Sequence, residues 1–454
     1  NSLKTMFKRH ESLRTYFDTD NGLVQKIGDF ELEIYYENSN EADINHIVEK
    51  FIKPFNLKEG PLFKVKITGL SKEKNILLID VHHIIFDAFS FNIFFKEVFL
   101  LYEGKDLKPL PCQYKEFALW QDELLKSDVI KSQEEFWMHK FSGEIPVLNL
   151  PTDYTRRPVH IFTGDEYIFS LDDKLTLQLK ELAGTQGMTL SLLLLAAFNI
   201  LMAKYSSQED IITGVPVLGR RKEEFMNTIG MFVNVLPIRN YPSREKSFHE
   251  FLLEVKKNFM EAYDNQDYQL EYMLEKLKIK RIPGRNSLFD VVFALYNLET
   301  PDIHAEGLKL SWNYIGLDKN KFDLVMDIKE EGKKINIILE YVTVLFKRET
   351  IEKMASHYIN ILKEVCNDPE VKIKDINILS EREKRKGLYE FNKTEKAYHK
   401  DMCLHALFQE QVEKTPEKIA VVFKDKKLTY RELNEKASSL GRLLRNYGIK
   451  GDIP

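Results

Sequence analysis

Residues 81–90 read Val-His-His-Ile-Ile-Phe-Asp-Ala-Phe-Ser, directly after an apolar run from Asn75 to Asp80. Two histidines, with an aspartate four residues beyond the second, put chemistry-bearing side chains at close spacing. Imidazole titrates near neutral pH, so His82 and His83 are candidates for a general base. Successive side chains on a strand point to opposite faces, so the two cannot share one cleft if the strand runs through both. One histidine then serves structure and the other chemistry. The same alternation speaks against a metal site, because adjacent histidines do not converge on one ion. Asp87 fits the N-cap of the helical stretch that follows. Read alone, the stretch fits better a buried core histidine beside a capping aspartate, the more common role of such residues.

The elements around it alternate. Helix-like periodicity at 43–53 is followed by strand patterns at 61–69 and 75–85, then by helical stretches at 90–103 and 113–126. A Pro-marked connector, Leu150 to Pro158, comes next. The second half reads as strands at 166–172, 210–217, 231–239, 288–297, 307–314, 322–329 and 334–341. Its helices fit 175–187, 189–205, 246–263 and 348–367. Such alternation predicts a layered α/β fold in two halves of similar size. After about residue 385 the pattern changes, and Thr429-Tyr-Arg-Glu432 has the spacing of a helix capping box.

Composition narrows the function. The chain has 454 residues, with 66 basic against 70 acidic side chains and no block of one sign. Without a basic face, nucleic acid is not the expected partner. Cys112, Cys366 and Cys403 are scattered and form no CxxC pair, which reads as a reducing, cytoplasmic setting with no disulfide frame or zinc site. The longest apolar run, Leu192 to Ala203, is too short for a membrane span and contains Asn199, so it reads as a buried core helix. The chain starts at Asn1 and stops at Pro454, and both ends read as cut from something longer.

Seven motifs, taken in order, carry a family resemblance. His82 to Ala88 resembles the HHxxxDG signature of the condensation domains of nonribosomal peptide synthetases, kin to chloramphenicol acetyltransferase. Arg9-His-Glu-Ser-Leu-Arg-Thr-Tyr-Phe17 is similar to the family's RHExLRTxF, and Tyr114 to Trp120 to its YxDFAxW. The connector 150–158 resembles the link between the family's lobes. Ile229-Gly-Met-Phe-Val-Asn234 through Arg239 resembles IGxFVNTxxxR, Asn265 to Tyr268 resembles HQDxPFE, and Arg285 to Phe289 resembles RNPLF. Leu428 to Leu433 looks like the opening motif of an adenylation domain.

The resemblance implies a two-lobed, chloramphenicol acetyltransferase-like α/β pseudodimer with a tunnel between lobes, plus a small truncated C-terminal piece. The lobes would span 1–160, its upstream end missing, and 161–385. A linker at 386–403 and an adenylation fragment at 404–454 follow, and the fragment stops before any Gly-rich phosphate loop. It further implies amide formation between donor and acceptor thioesters carried on the phosphopantetheine of upstream and downstream peptidyl carrier proteins. The chain would need no cofactor or metal of its own, and no membrane. His83 is then the catalytic candidate, with His82 turned back into the protein. Asp87 would form an architectural ion pair with Arg14, with Arg9 close by. Ala88, Ser90, Asn234 and Arg285 would line the tunnel. Ala88 stands where the family has Gly, and it strains the backbone only if that position needs φ > 0. Two alternatives stay open: a weakened scaffold that docks carrier proteins, and an epimerisation-type relative. Against the latter, Phe91 follows Ser90 where epimerisation domains carry Trp, and the Phe232-Val-Asn234 stretch is intact.

Overall fold

The computed structural model describes residues 1–20, 22–39, 44–296, 307–311, 319–332, 334–396 and 402–449. The chain divides into two compact units, Asn1–Ser380 and Glu381–Pro454.

The first unit opens with helix α1 (Ser2–Arg9) and the antiparallel pair β1 (Thr15–Asp18) and β2 (Val24–Ile27). Strand β3 (Ile34–Asn38), helix α2 (Ile44–Phe51) and strands β4 (Phe63–Gly69) and β5 (Asn75–Val81) follow. They make a three-stranded sheet of order β3-β4-β5, parallel at β3–β4 and antiparallel at β4–β5. Helix α3 (Ala88–Tyr102) packs across it, burying Ile93, Phe94, Phe95 and Val98 against Met6 and Phe7 of α1. The strand expected at 75–85 ends four residues early. Ile84, Ile85 and Phe86 prolong the apolar run, but a 3₁₀ turn over His83–Ile85 buries Ile85 and Phe86 instead.

Helices α4 (Tyr114–Leu124) and α5 (Asp128–Lys140) come next. No element was expected between 126 and the connector at 150–158, so α5 is an addition. Its apolar face is sparse, Ile130 and Trp137 amid charged and amide side chains, which hides the helical period. Ile130, Trp137, Phe141, Leu148 and Leu150 join the core of the second lobe. By packing, therefore, the second lobe begins before the boundary expected at 160.

That lobe is built on β6 (Gly164–Ser170), α6 (Asp173–Thr185), α7 (Leu190–Ser206), β7 (Ile211–Val217), β8 (Asn234–Asn240), α8 (Phe248–Asp264) and α9 (Leu270–Leu277). It is completed by β9 (Val291–Tyr296), β10 (Leu324–Glu331), β11 (Lys334–Val342) and α10 (Arg348–Asn367). The strands form one six-stranded mixed sheet of order β6-β11-β10-β9-β7-β8. Its inner strands β7 and β9 are parallel and almost wholly apolar, as strands covered on both faces are. Helix α7 is buried continuously from Leu192 to Ala203, and Asn199 inside it satisfies its amide on Leu195 O at 2.8 Å. Part of the strand expected at 307–314 lies outside the described residues, and 307–311 form none.

The second unit holds α11 (Glu381–Arg385), α12 (Leu404–Lys414), the hairpin β12 (Ile419–Phe423) with β13 (Lys426–Thr429), and α13 (Tyr430–Asn446). The capping box forms as its spacing predicts. Glu432 N–H donates to Thr429 Oγ1 at 3.2 Å, and Thr429 N–H donates to Glu432 Oε2 at 2.8 Å.

Candidate active site at the lobe junction

The two histidines are separated by a turn, and strand alternation plays no part in it. His82 continues the β4–β5 ladder through its N–H to Leu62 O at 3.0 Å, then caps the 3₁₀ turn. Its Nδ1 accepts from Ile84 N–H at 3.1 Å, and its ring stands edge-on to Phe55 at 6.1 Å between centroids. An accepting Nδ1 carries a lone pair, so the proton sits on Nε2. His83 has the opposite tautomer. Its Nδ1 lies 2.8 Å from Phe86 O, and a carbonyl oxygen only accepts, so Nδ1 is the protonated nitrogen. Nε2 of His83 is left with a lone pair on an exposed ring. Half-burial, then the neighbouring His83 and Lys321 charges, hold the His82 pKa below its usual value.

Asp87 caps α3 through Ser90 N–H at 2.8 Å, as its position predicts. Its ion pair is not the expected one. Arg14 donates to the carbonyls of Gly28 at 3.0 Å and Lys8 at 3.4 Å. Arg9 instead holds Glu97 of α3 at 3.0 Å, where His10 Nε2 joins it at 2.8 Å. These motif residues brace α1 against α3. The partner of Asp87 is Arg220 of the second lobe, with Nη1 2.6 Å from Oδ2 and Nη2 3.2 Å from Oδ1. Both side chains are buried. Ser90 Oγ adds a bond to Oδ1 at 2.7 Å and Phe232 N–H one to Oδ2 at 3.1 Å. The guanidinium also stacks 4.0 Å from the Phe232 ring centroid.

The segment 228–232 threads this junction. Ile229 is fully buried in the first-lobe core. Gly230 O accepts from Asp87 N–H at 3.1 Å, and Gly230 N–H donates to Ser90 Oγ at 3.0 Å. Tyr114 on α4 donates its hydroxyl to Met231 O at 2.8 Å, and burial, with the Asp87 charge added, pushes its pKa up to about 12. Two glycines are required by space. A Cβ on Gly230 would lie 2.1 Å from the Tyr114 ring, and one on Gly219 would lie 1.9 Å from Phe232 O. Gly219 also has φ +68°, a left-handed conformation that suits glycine and aims Arg220 back across the junction.

The residues expected to line a tunnel fall into different roles. Ala88 is exposed in the first turn of α3, outside the residues with positive φ, so it carries no backbone strain. Ser90 is fully buried in the Asp87 network and lines nothing. Arg285 is a strut. It holds Leu148 O and Asp290 Oδ2, each at 2.7 Å, and ties the approach to β9 to the segment after α5. Asn234 binds Gln266 O at 2.8 Å and borders a cavity of about 20 Å³, shared with Phe232 and Trp120. A larger cavity of about 270 Å³ lies between Ile145–Leu148, Ile212, Leu277 and Phe289. His83 borders neither, and its exposed ring opens to solvent. Among the described residues no group of three His, Cys, Asp or Glu side chains is placed to hold a metal ion, and no single helix is long and apolar enough to cross a membrane.

The family model described as a condensation domain matches residues 1–388. The chain belongs to the condensation-domain family. The model of the AMP-binding enzymes matches residues 408–452 of the second unit. This condensation domain is 45% identical over 452 residues to gramicidin S synthase 2 of Aneurinibacillus migulanus, covering 99% of this chain and 10% of that protein. It is 44% identical over 446 residues to tyrocidine synthase 3 of Brevibacillus parabrevis, covering 98% of this chain and 7% of the relative. The chain thus spans a tenth or less of these two relatives. Among solved structures, a four-domain nonribosomal peptide synthetase bound to AMP and glycine superposes with a TM-score of 0.86 at 20% identity, covering 99% of this chain and 36% of that one. The condensation domain of the Monacolin K polyketide synthase MokA gives a TM-score of 0.71 at 21% identity, over 82% of this chain and 89% of that one. The fold is therefore the chloramphenicol acetyltransferase-like one expected.

Sequence reasoning missed Arg220. Its one signal was the turn Leu218-Gly-Arg-Arg221 at the end of an apolar strand. A Gly that lets the chain turn and a cation behind it are compatible with a buried cross-lobe pair, but equally with a solvated loop.

Proposed function

We propose that this condensation domain forms a peptide bond between two carrier-bound building blocks in nonribosomal peptide synthesis. The observation that carries the reading is His83: Nδ1 committed to Phe86 O, Nε2 free, and the ring exposed beside a junction latched by both lobes. The α-amine of the acceptor aminoacyl thioester attacks the donor thioester carbonyl. A C–N bond forms, the C–S bond breaks, and the donor arm leaves as a thiol. The amine proton passes to His83 Nε2 and from there to the departing sulfur. An unperturbed α-amine has a pKa of about 7.7–8.0, so little activation is required. A general base supplies roughly 10²–10⁴-fold, and holding both thioesters in place supplies up to several kcal/mol more.

Both substrates ride on phosphopantetheine arms of an upstream donor and a downstream acceptor peptidyl carrier protein. The arms reach His83 from opposite sides of the gap between lobes, and no resident cofactor takes part. The similarity to gramicidin S and tyrocidine synthases supports this reading, as does the match of the second unit to the start of an adenylating enzyme. The ordinary backbone at Ala88 takes away the main reason to read the chain as an inactive scaffold. The test is to load donor and acceptor carriers with distinguishable aminoacyl groups, add the chain, and weigh the acceptor carrier by mass spectrometry. A dipeptidyl species is expected, and an acceptor unchanged after prolonged incubation would overturn the reading.

A further inference from the structure

The chain leaving α9 alternates: Leu277 and Ile279 are half-buried, while Lys278 and Lys280 are exposed. Lys278 ends the helix in a left-handed conformation, φ +51°, and the residues on either side of it line the cavity of about 270 Å³. Ile145 and Val147 after α5, Ile212 of β7 and Phe289 line it too. Ile212 and Phe289 are buried, whereas Val147 and Ile282 at its edge stay 42% and 39% exposed. The cavity is therefore apolar in its depth and opens to solvent on one side. An apolar cavity of about 150 Å³ stays dry and takes up benzene, so this one has room for a longer hydrocarbon.

The lining also decides what kind of molecule fits. Three charged side chains border the space, Asp210, Asp290 and Lys280. Arg239 neutralises Asp210 at 2.6 Å, and Arg285 neutralises Asp290 at 2.7 Å. Among the described residues Lys280 forms no ion pair, nor does Arg281 beside it. The charge left over at the opening is thus positive, which suits an anionic head group. The walls are mostly branched aliphatic side chains. Phe289, the one aromatic ring among the described lining residues, already stacks on Phe322 at 5.7 Å between centroids and packs against Gly214. A flexible alkyl chain fits such walls better than a flat ring.

We infer that this cavity is a binding site for a medium-chain aliphatic carboxylate. Its hydrocarbon lies against Ile212, Leu277 and Ile279, and its carboxylate meets Lys280. His83 does not border the cavity, so the inference stands apart from the amide-forming reading. The test is calorimetric titration of the full chain with butanoate, hexanoate, octanoate and 1-octanol. Octanoate should saturate one site, and affinity should rise about fourfold for each methylene added along the acid series. Val147→Trp, which fills the cavity from its open edge, should abolish octanoate binding. Lys280→Met should weaken octanoate about twofold to fivefold, the range of an exposed charge pair, and leave 1-octanol unchanged. Lys280→Arg should restore octanoate. Lys280 is an exposed side chain, so its variants keep the inference testable even if melting curves show that Val147→Trp misfolds. No saturable binding of octanoate, or an affinity indifferent to chain length, would overturn the inference. So would undiminished binding by a folded Val147→Trp protein, or equal effects of Lys280→Met on octanoate and 1-octanol.

Discussion

The carbonyl of Phe86 selects the tautomer of His83, and the N–H of Ile84 selects the reverse tautomer of His82. Two identical side chains are thus set apart by what one tight turn offers each. Protonating His82 would destroy its capping bond, which gives the fold a pH dependence. Its folded-state pKa is below the ordinary value of 6.5, chiefly through burial. As pH falls through about 6.5 the unfolded chain takes up this proton first, so stability present above that pH is lost below it. We expect the urea midpoint to drop more between pH 7.5 and 5.5 for the natural protein than for His82→Asn, whose amide oxygen can still accept from Ile84. Parallel drops would show that the ring does not titrate as its surroundings require. That the two histidines would be held differently was legible in the sequence. The reason was different, because a 3₁₀ turn and not the alternation of a strand divides them.

Among the elements, the β5–α3 turn and the 228–232 segment hold each other, and Asp87 with Arg220 is the bond that joins them. Removing one member leaves the other buried and uncompensated, at about 3–5 kcal/mol. Asp87→Ala should therefore lower the melting temperature as well as turnover. Asp87→Leu combined with Arg220→Met should cost clearly less than the two single changes summed. Thermal melts of all three proteins test this, and an additive cycle would remove the latch from the account. The sequence revealed Asp87 as a cap and 229–234 as one of the motifs of the family. It could not reveal the partner, because Arg14 and Arg220 are both arginines beside turns and only the packed lobes decide which one faces Asp87. Helix α5 escaped notice for a related reason: its buried face is defined by the second lobe it docks on, not by a strong period of its own.

At the scale of the whole molecule, the packed cores end at Ile376, and the described residues of the second unit include no fully buried side chain. The first unit should therefore carry its own stability. A chain ending at Ser380 is expected to melt within about 2 °C of the main transition of the full chain. A broad or strongly lowered transition would mean that the second unit helps to hold the first. The alternation of strands and helices made the layered fold readable from sequence, whereas the unequal sheets, three strands against six, were not. Under the proposed function, this architecture serves to hold the His83 Nε2 where an amine meets a thioester. The direct test is single-turnover dipeptide formation on loaded carriers by the natural chain and by His83→Gln, with melting temperatures measured alongside. The account predicts a rate roughly 10²–10⁴-fold lower for the variant, with less than about 1.5 kcal/mol of stability lost. Equal rates from two equally stable proteins would contradict it.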